Sequence, residues 1–220
     1  MESLTPEEVR VLGSLVEKEK TTPDSYPLSL NALTAACNQK SNRNPVVAYD
    51  EKTVVRALDG LREKKLVWMR SRTSGRVPNY QHGLEEALRL RPAELALLCT
   101  LMLRGPQTIG ELRSHSARIQ TFDSLDRVAS VLDDLMTRQE KPLAAKLPRR
   151  PGQKEARYTH LLAGEPDVEA EPYETPAEPA RQAVQQEDQR LAQLEQTVDD
   201  LRNQLAELQQ AFERFRSEFE

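Results

Sequence analysis

The apolar positions of this chain fall into three regimes. Over residues 5–61 they recur at helical spacing in separate bursts. Val9, Leu12, Leu15 and Val16 share one face after the helix-start signal Thr5-Pro6-Glu7-Glu8, and Leu30, Leu33 and Ala36 mark a shorter second helix. Val54, Leu58 and Leu61 mark a third. The pattern then shortens to strand-like runs, Leu66–Arg70 and Val77–Tyr80, on either side of a turn at Ser74-Gly75. The same order returns further along. Arg91-Pro92-Ala93-Glu94 opens a helix with Leu95, Leu98, Leu101 and Met102 on one face, and Thr108 with Glu111 forms a capping box for a short helix. Val128, Leu132 and Leu135 then match Val54, Leu58 and Leu61 position for position. A second hairpin follows over Leu143–Leu147 and Ala156–Tyr158, turning at Pro151-Gly152.

Helix, helix, helix, hairpin, repeated at an offset of about 75–86 residues, is the pattern of the winged helix-turn-helix. The predicted fold is therefore mostly α with small β-hairpins. It comprises a first winged-helix domain over 1–84, a second over 85–163, an acidic Pro-rich linker over 164–180 and a coiled-coil helix over 181–220. The linker holds four of the 14 prolines and almost no apolar residue, which points to an extended segment. The last regime is a heptad stripe. Leu191, Val198, Leu205, Phe212 and Phe219 occupy position a, and Leu194, Leu201, Leu208 and Phe215 occupy position d. So narrow a seam needs a partner helix, so homodimerisation through this helix is expected; a fold-back onto the chain's own globular part is the alternative.

Charge divides along the same lines. Residues 1–165 hold 26 Lys and Arg against 21 Asp and Glu, or +5; residues 166–220 hold 5 against 14, or −9. The overall balance of −4 thus conceals a mildly basic repeat region, which permits a polyanion partner. In a winged helix the third helix commonly enters the major groove and the wing touches phosphates. The candidate nucleic-acid contacts are Lys40, Asn42 and Arg43 in the loop before the first third helix, and Lys52 and Arg56 on that helix. Arg70, Arg72 and Arg76 in the first wing and Arg149 and Arg150 in the second complete the set. Arg and Asn read guanine and adenine edges, while Lys and Arg neutralise phosphate. The second third helix carries Asp123, Asp126, Asp133 and Asp134 and is a poor groove reader, suited instead to packing.

No Walker loop, GxSxG or HExxH occurs, and His82, His115 and His160 lie far apart, none at metal-ligand spacing from a cysteine. No catalytic residue, metal or cofactor is expected, and Cys37 and Cys99 read as buried thiols of a reducing compartment. With no run of 18 apolar residues and no basic-then-apolar leader, the expectation is a cytoplasmic protein without a membrane span. The expected function is a non-enzymatic, dimeric DNA-binding or regulatory protein; the alternative is a protein-interaction scaffold in which the winged helices bind protein.

Several stretches resemble the bacterial YceH family of uncharacterised proteins: Leu4–Glu19, Thr22–Leu33, Ala36–Arg43, Leu103–Thr108 and Leu147–Gly152. The resemblance covers about residues 4–163 and implies two tandem winged-helix domains in a cytoplasmic bacterial protein; it supplies no activity. The run Asn38–Pro45 sits where a winged helix has a short turn. Its length suggests either a structural hydrogen-bonding role, which we favour, or a ligand contact.

Overall fold

The computed structural model describes residues 2–71, 78–149, 153 and 155–165. Arg72, Arg76, Arg150, all but the first two residues of the linker, and the whole heptad stripe lie outside the described residues. Among those described, the chain is mixed α and β, with seven α-helices and two small antiparallel sheets.

The first half begins with α1 (Pro6–Thr21). Thr5 and Glu8 form a capping box that satisfies two helix-end N–H groups, and Pro6 occupies the first turn, where its missing N–H costs nothing. After a short 3-10 turn over Pro23–Ser25 come β1 (Leu28–Ser29), α2 (Leu30–Cys37) and α3 (Glu51–Glu63). Strands β2 (Val67–Ser71) and β3 (Pro78–His82) form the hairpin. Strand β3 is central in the order β1-β3-β2, with Leu28 opposite Tyr80 and Met69 opposite the same tyrosine. A five-residue helix, α4 (Leu84–Leu88), leads into the second half.

The second half repeats this order as α5 (Pro92–Arg104), α6 (Ile109–Ser116), α7 (Leu125–Met136), β4 (Ala144–Lys146) and β5 (Tyr158–His160). Thr108 and Glu111 cap α6 as the sequence pattern implies. The counterpart of β1 is reduced to one bridge, Gln107 with Tyr158, so Tyr158 occupies the place that Tyr80 holds in the first sheet.

The two halves share one core. Helix α1 is buried without interruption from Glu8 to Glu17, and α5 from Glu94 to Leu103. A helix buried on all sides must be enclosed by several neighbours. Here α1 packs against α2, α3 and α5, and the α1–α5 contact joins the halves. The close approach is made at Gly13, where an added Cβ would come within 3.0 Å of Leu103 Cδ2, and the Cys99 thiol donates to the Gly13 carbonyl at 3.4 Å. No helix among the described residues is long and apolar enough to cross a membrane.

Candidate nucleic-acid interface

Helix α3 is amphipathic because Val54, Ala57, Leu58 and Leu61 repeat at helical spacing and are buried against the core. Asp50 caps its N-terminus and accepts from the Thr53 N–H at 2.8 Å. Hydrogen bonds from Thr53, assisted by Lys52 and Arg56, hold the Asp50 carboxyl below its ordinary value. The face turned to solvent carries Lys52, Val55, Arg56, Asp59 and Arg62. Arg62 is engaged by Asp59 at 3.3 Å, whereas Lys52 and Arg56 form no ion pair with any described residue. At its other end α3 is tied to α1. Lys64 Nζ lies 2.6 Å from Glu8 Oε1, and Gly60 lets Glu8 approach so closely that a Cβ there would collide with the carboxylate.

The loop before α3 is built into the fold, in line with the structural reading of Asn38–Pro45. Arg43 is corrected from a candidate nucleic-acid contact to a buried strut. Its side chain is fully enclosed; Nη2 meets Glu17 Oε2 at 2.7 Å, and Nε and Nη2 donate to the Ala36 carbonyl. A guanidinium leaves water only when its donors are met, and here each of its three nitrogens is engaged. Asn42 adopts a left-handed backbone, φ 57°, and its Oδ1 accepts from Arg104 Nη2 at 2.6 Å, so it is turned toward α5. The Asn44 N–H donates to the Leu103 carbonyl, Asn38 brackets the loop by a reciprocal pair with Tyr49, and Arg10 donates to the carbonyls of Cys37 and Pro45. Of the three loop candidates, Lys40 alone is exposed.

Arg70 is exposed on β2, opposite Asn79, and among the described residues it faces carboxylates. It lines a cleft of about 750 Å3 together with Glu19, Glu85 and Glu86. Glu19 is hydrogen-bonded by His82 Nε2 at 3.2 Å and by Lys20 at 2.9 Å, which draws its carboxyl down to about 2. In the second half, Arg149 is exposed, Arg157 is bound to Glu111 and the Pro106 carbonyl, and α7 presents Asp126, Asp133 and Asp134 outward. Arg91 links Asp134 to Glu94.

The remaining chemistry-bearing groups are dispersed. No group of three His, Cys, Asp or Glu among the described residues could hold a metal ion. Burial raises the thiols of both Cys37 and Cys99. His115 is lowered by burial, with its Nδ1 against Gln107 Oε1 at 2.6 Å, and His160 is lowered to about 4, its Nδ1 shut off from water with no partner. One residue escaped sequence reasoning. Trp68, placed in the first hairpin without a role, is 47% exposed. The run Val67-Trp68-Met69 carries no polar alternation, so the pattern did not show which side chain faces out.

Comparisons with known proteins place the chain. Residues 4–153 match the profile of the family described as "Protein of unknown function, DUF480". A UPF0502 protein of Geobacter sulfurreducens is 55% identical over 213 residues, covering 97% of this chain and 96% of its own length. Another from Geotalea daltonii is 54% identical over 218 residues, covering 99% of each. One from Opitutus terrae is 50% identical over 192 residues, covering 87% of this chain and 83% of the relative. The similarity therefore runs past residue 153 into the acidic and heptad-bearing tail. With the profile spanning well over half of the chain, the chain belongs to the bacterial DUF480 family of unknown function, whose relatives carry the name UPF0502 and with which the YceH resemblance is consistent.

Proposed function

We propose that the chain is a non-enzymatic DNA-binding or regulatory protein, built from two tandem winged-helix units and dimeric through its C-terminal heptad helix. The observation that carries this reading is the solvent face of α3, where Lys52 and Arg56 are exposed and free of ion pairs with described residues. Val55 lies between them, 36% exposed, and offers an apolar contact of the kind a thymine methyl takes. The element order of each half supports the winged-helix reading, with α3 in the place of a groove-entering helix and β2–β3 as the wing. Lys40, Arg70, Arg149 and the cations outside the described residues, Arg72, Arg76 and Arg150, supply phosphate contacts in this scheme. The Leu191–Phe219 seam would pair two copies so that two α3 helices face one duplex.

The test is fluorescence anisotropy with duplex DNA of random sequence across a salt series. Binding should weaken steeply with salt, and the Lys52→Ala/Arg56→Ala variant should bind about 10-fold or more weakly with a shallower salt slope. Absence of binding at low salt would end the proposal.

A second reading, a protein adaptor, is favoured by the acidic face of α7 and by the carboxylates around Arg70, both of which repel phosphate. A pull-down from nuclease-treated lysate separates the two, since protein partners survive the nuclease.

A further inference from the structure

Trp68 forms a ridge between two clefts. One is the acidic hollow beside Arg70. The other, about 630 Å3, lies between the halves of the repeat region and is bounded by the end of α3, by α4 and by the segment after α7. That volume is typical of small-ligand sites, which favour such junctions.

One edge of the indole is packed while the rest is open to solvent. It packs against Gly83, where an added Cβ would fall 2.5 Å from the indole Nε1, so only glycine lets the ring lie there. Beneath it the floor is apolar, with Leu66, Leu88 and Leu143. The rim is cationic. Lys64 is committed to Glu8, and Arg138 to the Leu88 carbonyl and Glu94. Lys65 and Lys141 form no ion pair with any described residue. Two acceptors complete the lining: Glu86, and Glu140, which is paired with Arg89 at 3.6 Å.

Lys65 has φ 58°, a left-handed conformation that follows α3 and that glycine adopts without strain. That turn closes α3, with the Leu66 N–H donating to the Leu61 carbonyl, and it leaves Lys65 lining the cleft. Arg89, on the other side, is likewise left-handed at φ 49°.

We infer that this cleft binds a nucleoside phosphate, with its base stacked on Trp68 and its phosphate between Lys65 and Lys141. A planar base uses the indole face and the apolar floor, and its N–H or ribose O–H donors suit Glu86 and Glu140. The anion answers the two free ammonium groups. An aliphatic acid would leave the indole unused, and a purely apolar ligand would leave the lysines desolvated without a partner. The inference does not rest on duplex binding by α3.

Trp68 is the sole tryptophan of the chain and borders both clefts, so its intrinsic fluorescence reports a ligand at either, and Lys65, which lines only the second of the two, assigns the signal. AMP, GMP, CMP and UMP are titrated into the full-length protein to about 5 mM with excitation beyond nucleotide absorption, and affinities are measured by calorimetry. Saturable quenching by at least one of them is expected. Lys65→Gly should raise the urea midpoint while weakening binding about 5-fold or more, a split that a merely structural lysine would not give. Trp68→Leu should weaken binding about 10-fold, read by calorimetry. Lys52→Ala/Arg56→Ala should bind nucleotide as the parent does, whatever happens to its duplex binding. The inference is overturned if none of the four nucleotides quenches saturably, if ribose 5-phosphate binds as well as they do, or if Lys65→Gly binds like the parent.

Discussion

Arg43 shows how a single side chain changes meaning between sequence and fold. In the run Lys40-Ser41-Asn42-Arg43 it looks like one more cation of a basic loop, and nothing in the local pattern separates it from Lys40. Only the helical position of Glu17, 26 residues earlier, makes it an interior residue. Removing it leaves a buried carboxylate without its partner, so Arg43→Ala is expected to lower stability by about 3–5 kcal/mol, measured by urea denaturation. Lys40→Ala, on the surface of the same loop, should change stability by less than about 0.5 kcal/mol. His160 provides a pH test. Its folded value of about 4 lies below the ordinary one near 6.5, so the unfolded chain binds more protons between these limits. Its contribution is therefore complete above about pH 6.5 and declines as pH falls toward 4, by up to about 3 kcal/mol. His115, also lowered, acts in the same sense. A His160→Phe variant should flatten most of this slope in urea titrations carried out from pH 7 to pH 4; an unchanged slope would show that the buried Nδ1 is not the cause.

The long amphipathic elements were legible because their signal is redundant. Val54, Leu58 and Leu61 predict α3, the matching triplet predicts α7, and both helices bury those residues. Caps were equally readable: Thr108 and Glu111 reciprocate as their spacing implies. Thr108→Ala is accordingly expected to cost about 1 kcal/mol, seen as a lower urea midpoint with an unchanged slope. What stayed hidden was short. Strand β1 has two residues and α4 five, too few to carry a period, and each is fixed by its neighbours. Leu28 pairs with Tyr80 of β3, and the Gly83 N–H starts α4 by donating to the Leu66 carbonyl. The candidate interface was legible to the same degree. Residues whose exposure follows from helix periodicity, Lys52 and Arg56, are exposed as expected, whereas the loop positions Asn42 and Arg43 are fixed by tertiary contacts that no local pattern records.

At the level of the molecule, repetition alone does not say whether two units stand apart or share an interior. Gly13 against Leu103, and Asn42 and Asn44 against the end of α5, join them. Amides of α1 and α5 should therefore exchange with deuterium at the same opening free energy in native-state exchange; separate values would show that the halves open independently. The arrangement also bears on how the protein is made. Helix α1 leaves the ribosome before α5, and the side of it that meets α5 has no cover until Pro92–Arg104 has been synthesised. At about 5–20 residues per second the nascent chain carries that uncovered apolar face for several seconds. Until α5 arrives, that helix is a natural target for ribosome-associated chaperones.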